Sequence, residues 1–159
     1  MNRIEKKEKR ENFEAWVATI DERIFDWFQI ISDKKVSLFD YSIDSLDEVE
    51  KYLINNYSLE DLKDVKNKIP IDASASYIMK VFSIHWKSHK FTIELEDERN
   101  VLFNRPAIIT EPELGMAFSP YYFLPSILNL KRVGDLKHVL KTKKRQYIDK
   151  YGDAGSHPA

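Results

Sequence analysis

Apolar residues recur at spacings of three and four from Phe13 onward: Phe13, Trp16, Val17, Ile20, Ile24, Trp27, Phe28 and Ile31. At 3.6 residues per turn these positions share one stripe, and Glu14, Asp21, Glu22 and Asp26 fall off it, so the pattern predicts one long amphipathic helix. The ordinary role of such a stripe is to pack on the chain's own core; docking another protein is the alternative. Met1 to Arg10 is mostly charged and is expected to fray.

Further along, Val36-Ser37-Leu38-Phe39 reads as a short strand or extended link. Ser45-Leu46-Asp47-Glu48 has the form of a capping box and predicts a helix carrying Leu46, Val49, Tyr52 and Leu53. Ser58-Leu59-Glu60-Asp61 resembles a second box and opens a short helix through Leu62 and Val65, which Pro70 is expected to end. Ala75, Ile78, Met79, Phe82 and Trp86 predict a long helix from about Asp72 to Trp86.

After Lys90 the period changes from 3.6 to 2. Phe91 to Glu96 alternates strictly, which predicts a half-buried strand, and Asp97-Glu98-Arg99-Asn100 reads as a turn. Val101-Leu102-Phe103 and Ala107 to Thr110 predict one or two further strands, with an edge or break at Pro106. Glu111 to Pro120 reads as a loop, and a short helix is expected to start near Pro125. Asp135 is placed to cap a last helix from Leu136 to about Tyr151, bounded by Gly134 and Gly152. The expected fold class is α+β: one domain over residues 1–152, with N-terminal helices, a small antiparallel sheet and C-terminal helices, followed by a disordered tail over 153–159.

The composition agrees with one well-solvated domain. The chain has 159 residues, 43% hydrophobic and 32% charged, enough apolar material for one core. It has no cysteine, which excludes disulfides, thiolate metal ligands and a cysteine nucleophile. Met1-Asn2-Arg3-Ile4-Glu5-Lys6-Lys7 is followed by no apolar stretch, so no signal peptide is expected. No uncharged apolar run approaches the roughly 20 residues that span a bilayer, and no membrane partner is expected. A cytoplasmic location is the expectation from these features together.

Charge alters the picture more than composition does. The net charge is only −1, yet Glu11 to Asp64 holds 14 acids against 5 bases, and Lys131 to Lys150 holds 8 bases against 2 acids. Such segregation produces faces of opposite potential, which bears on partners rather than on fold. The acidic helix starts at Asp44, Asp47, Glu48, Glu50, Asp61 and Asp64 form one candidate partner-binding face. Glu111, Glu113, Met116, Tyr121 and Tyr122 form a second, because exposed aromatics serve as interface anchors. Lys137, Lys141, Lys143, Lys144 and Arg145 make the last helix basic, an arrangement suited to phosphates. Its apolar positions and the overall composition favour a solvated helix face instead, and nucleic acid is not the expected partner.

Catalytic patterns are missing. No Gly-rich phosphate loop and no G-x-S-x-G elbow occur, and the carboxylates read first as caps and solvated surface. His85 and His89 are four apart, as two zinc ligands on one helical face would be, with Glu94, Glu96 or Asp97 as a third. No Glu follows the first His as in a metalloprotease, and two histidines fall short of a site. The expectation is a non-enzymatic protein without a metal or cofactor.

One further pattern carries a resemblance. Phe39-Asp40-Tyr41-Ser42 precedes Ser45 to Leu53, then Tyr77-Ile78, Trp86, a strand and Asn104-Arg105-Pro106-Ala107-Ile108. This resembles, over roughly residues 36–130, a family of small bacterial proteins, some of them similar to immunity proteins of toxin-immunity pairs. The resemblance implies a cognate protein toxin or effector domain as partner and carries over no functional residue. The acidic half agrees with it, since toxins acting on nucleic acids are often basic and an acidic inhibitor associates with them quickly.

Overall fold

The computed structural model describes residues 1–31, 33–86, 88–110 and 117–152. The predicted first helix is two helices. Helix α1 spans Arg3–Ala18 and α2 spans Ile20–Ile30, with Thr19 between them out of helical geometry. The charged N-terminus is helical from Arg3 and capped: Asn2 accepts from the Glu5 N–H and Glu5 accepts from the Asn2 N–H, a complete capping box. Lys6 then pairs with Glu96 at 2.7 Å and holds the helix to the turn beyond the sheet. The break at Thr19 has a local cause. Thr19 Oγ1 donates to the Ala15 carbonyl, and the Arg23 guanidinium donates to Trp16 O and Thr19 Oγ1, so the end of α1 is satisfied without continuing the helix.

Asp33–Val36 is a single helical turn, α3, and Val36 to Phe39, expected as a strand or link, continues from it as a hydrogen-bonded turn that brings Phe39 into the core. Helix α4 spans Ser45–Asn56. The Ser45 capping box does not form: Asp44 is the cap position, and Ser45 Oγ donates instead to Ser42 O at 2.6 Å and accepts from Tyr77 Oη at 2.8 Å. The Ser58 box forms in part, since Asp61 accepts from Ser58 N–H at 2.7 Å, but it opens a 3-10 turn, Glu60–Lys63, followed by another at Val65–Asn67.

Helix α5 spans Lys68–His85 and is the hub of the fold. It starts four residues earlier than predicted. Pro70 sits in its first turn, where no backbone N–H is required, so proline begins this helix rather than ending its predecessor. Ile71, Ala73 to Met79, Val81 and Phe82 are buried, and a helix apolar on all sides belongs inside. The internal hydroxyls are satisfied along the helix, Ser74 on Pro70 O and Ser76 on Asp72 O. Helices α2 and α4 pack on α5, as do α6 (Pro120–Leu130) and α7 (Asp135–Tyr151). Trp27, Phe28, Phe39, Tyr41, Tyr52 and Tyr77 form an aromatic cluster where α2, α4 and α5 meet.

Strand β1, His89–Ile93, pairs antiparallel with β2, Pro106–Thr110, in the register His89↔Thr110 to Ile93↔Pro106. The small antiparallel sheet is as predicted, and the class is α+β. Glu94 makes only an isolated bridge to Phe103, and Val101-Leu102 is a turn rather than a strand. Phe118 closes the other edge of β2 through two backbone bonds with Ile108. Helix α6 begins at Pro120 rather than near Pro125, which lies inside it. Expectations about Glu111 to Met116 and about the tail 153–159 lie outside the described residues.

Candidate functional site

The acidic positions divide on folding. Asp44, Asp47 and Glu48 occupy the first turn of α4, and α7 lies against that turn. Lys137 Nζ bonds Asp44 at 3.2 Å and Asp47 at 3.1 Å, while Glu48 pairs with Lys51 at 3.1 Å. Those two carboxylates, Asp47 first, push the Lys137 ammonium above its ordinary pKa. This joint uses acids expected to face a partner and the first of the lysines expected to face phosphate. Lys141 and Arg145 remain exposed on α7, whereas Lys143 and Lys144 are half-buried.

Glu50 corrects the expectation of a surface acid: it is 0% exposed. Its Oε1 accepts from the Leu136 N–H at 3.2 Å and the Gly134 N–H at 3.4 Å, so the start of α7 is capped from α4. Asp135, expected to cap this helix, is its first residue and pairs with Arg132 at 3.1 Å. Gly134 holds φ at +116°, a conformation open to glycine. Burial is the largest influence on Glu50 and raises its carboxyl to about 7, opposed by the two N–H groups.

The two histidines separate. Helix α5 ends at His85, whose Nε2 lies 3.0 Å from Tyr41 O, and His89 stands on β1 with Nδ1 2.7 Å from Trp86 O. Among the described residues no three metal-ligating side chains converge. No helix among them is long and apolar enough to cross a membrane.

The fold also makes a site from distant segments. A groove of about 590 Å³ runs between the two 3-10 turns, the start of α5, the start of β2 and α6. Asp64 and Tyr121, assigned by sequence to two different faces, both line it. Asp61 is not among the lining residues and accepts from Ser58, and Asp64 caps the second 3-10 turn. Tyr121 is not an exposed anchor: its hydroxyl donates to Asp72 at 2.9 Å, its ring meets Trp16 at 6.1 Å, and burial pushes its pKa up. Tyr122 is exposed, with the Arg105 guanidinium 5.9 Å from its ring. Glu111, Glu113 and Met116 lie outside the described residues.

A third surface was missed by sequence reasoning. Phe25 is 64% exposed and Ile30 65% exposed on the outer side of α2. Asp21 and Glu22 precede Phe25 by one turn, and Asp26 precedes Ile30 by one turn, so each apolar side chain has a carboxylate beside it. The available signal was that Phe25 falls off the stripe of three and four, on the acidic side.

Comparison with known proteins returned no family model, no curated protein and no solved structure that matches this chain.

Proposed function

We propose that this chain is a protein-binding inhibitor of the immunity type, which occludes a basic bacterial toxin or effector domain in the cytoplasm. The observation that carries this reading is the outer face of α2, where Phe25 and Ile30 stand exposed among Asp21, Glu22 and Asp26. Folding makes no use of those two apolar side chains, and interface anchors are aromatic groups surrounded by a polar rim. Asp21 pairs with Lys80 at 3.1 Å, but Glu22 and Asp26 make no ion pair among the described residues. Acids not neutralised within the chain are those that steer a basic partner.

The test compares the protein with Phe25→Ala and with Glu22→Lys/Asp26→Lys in titrations against the protein that forms a stoichiometric complex with it. Both changes lie on the surface and should alter stability by no more than about 0.5 kcal/mol. Each is expected to weaken the complex about tenfold or more. Unchanged affinity in both variants removes the α2 face, and a partner that is not basic removes the electrostatic argument.

A second reading, nucleic-acid binding, rests on Lys141 and Arg145, exposed one turn apart on α7. It predicts retention of duplex DNA or RNA that falls steeply with salt and is lost in Lys141→Glu/Arg145→Glu.

A further inference from the structure

The groove beside α6 goes beyond the protein-binding reading, because its lining has the chemistry of a small-ligand site. Its volume of about 590 Å³ lies within the roughly 300–1,000 Å³ of small-molecule pockets. The floor and walls are mainly apolar: Trp16, Ile71, Pro106 and Leu124 contribute, with the Tyr121 ring against Trp16. Val65 stands at the lip, 83% exposed.

The acids that line the groove are already engaged. Asp72 Oδ1 accepts from Tyr121 and its Oδ2 from Lys68, each at 2.9 Å. Asp64 accepts from the Lys66 N–H at 3.0 Å, and its other oxygen lies 3.5 Å from Lys66 Nζ. Two lining cations are not neutralised in this way. Lys63 is exposed and makes no ion pair among the described residues, and neither does Arg105, whose guanidinium makes one hydrogen bond among them, from Nη1 to Val101 O at 2.5 Å, and lies 5.9 Å from the Tyr122 ring. Guanidinium has five N–H donors, so four remain for a ligand. Asn104 supports this wall: its backbone takes the left-handed φ of 57°, which asparagine tolerates, with its N–H on Glu94 O, and Arg105 and Pro106 are thereby turned into the groove.

We infer that this groove binds a small amphiphilic carboxylate, its apolar body on Trp16, Ile71 and Leu124 and its anionic end at Arg105 and Lys63. Apolar walls with net positive charge at the rim fit this occupant better than a neutral or cationic one. The concave shape, lined by four separate segments around Trp16, 62–72, 104–106 and 121–125, fits a compact molecule better than a flat protein surface.

The probe is sodium 2-naphthoate, titrated into the full chain while the indole N–H resonances of its three tryptophans are followed by NMR. A saturable shift of Trp16, with Trp27 and Trp86 unmoved, is expected with a dissociation constant of about 1 mM or tighter. Neutral 2-naphthalenemethanol should bind at least about fivefold more weakly. The exposed double variant Lys63→Gln/Arg105→Gln should abolish that difference while its circular dichroism stays that of the parent. Absence of a Trp16 shift overturns the site. Equal binding of the two probes by the parent protein overturns the anionic assignment without depending on any variant. Binding of an acidic peptide with no response to naphthoate assigns the groove to a protein segment and also overturns the proposal. None of these outcomes touches the α2 face, so the two readings fail separately.

Discussion

Glu50 shows how a single residue takes its role from its surroundings. In sequence it is one acid among several in an acidic helix start. In the fold its carboxyl is enclosed between α4 and α7, with Oε1 on two backbone N–H groups and Oε2 without a hydrogen-bond partner among the described residues. Asp47 and Asp135 lie near enough to disfavour its charge further. Because its pKa rises from 4.5 to about 7 on folding, the native state holds this proton more tightly than the unfolded chain does. The stability it contributes is therefore fully present below about pH 4.5 and is lost as pH rises through about 7, an effect on the order of 3 kcal/mol. Glu50→Gln keeps an acceptor for the two N–H groups and removes the charge. It should flatten the fall in stability between about pH 5 and 8 and leave the protein more stable than the parent at pH 8. Urea unfolding across that range measures both effects, and an unchanged pH profile would exclude the buried carboxyl as its source. Tyr77 has a related constraint: its buried hydroxyl donates to Ser45 and accepts from the Tyr41 N–H, with its pKa raised to about 12, first of all by burial.

Among the long helices, α1 is the least secured. It has no fully buried residue, and Phe13, Trp16 and Val17 are only half-buried. Its attachment to α2 depends on Arg23, which reaches Trp16 O, Thr19 Oγ1 and, at 2.9 Å, Ser76 Oγ on α5. Burial lowers the guanidinium from its ordinary pKa, and the nearby Tyr121 and Asp72 oppose that shift. Arg23→Ala should cost about 2–3 kcal/mol, as expected for loss of charge-assisted bonds at a half-buried site. Hydrogen exchange should then show α1 amides losing protection while α5 keeps its own; equal loss in both helices would mean that α1 and α5 unfold as one unit. Other boundaries follow the same logic. The Pro70 and Pro120 positions lie in first turns, where a missing N–H has no consequence, while Pro125 removes one internal bond from α6.

Across the molecule, charge segregation persists but is partly consumed. The α4–α7 joint sets Asp44 and Asp47 against Lys137, so the acidic and basic halves of the chain meet there internally. Among the described residues Glu22 and Asp26 on α2 are left without an ion pair, as are Glu14, Asp40, Glu60 and Asp61 on other elements. Association with a basic partner should therefore be steered. Raising the ionic strength from about 0.01 to 0.15 M shortens the Debye length from roughly 30 to 8 Å and should lower the association rate about tenfold or more, with little change in dissociation. Stopped-flow mixing resolves the two rates; a salt effect confined to dissociation would count against steering.

Several features follow from the sequence alone, because they depend on residues close along the chain. The 3.6-residue period of α4, α5 and α7, the switch to period 2 at Phe91 and the strand that starts at Pro106 set the α+β class and the order of its elements. The uneven charge of the two halves was equally legible. Features joining distant residues were not. The break at Thr19 is completed by Arg23 and Ser76, the cap of α7 comes from Glu50 some 86 positions away, and Tyr77 takes Ser45 from its capping box. The groove is assembled from Trp16, Val65, Ile71, Arg105 and Leu124, residues with no common spacing. Periodicity reports which side of an element is apolar; it does not report which polar group on another element will meet it. Tertiary packing decides that, because a buried donor or acceptor must find its partner wherever the chain brings one.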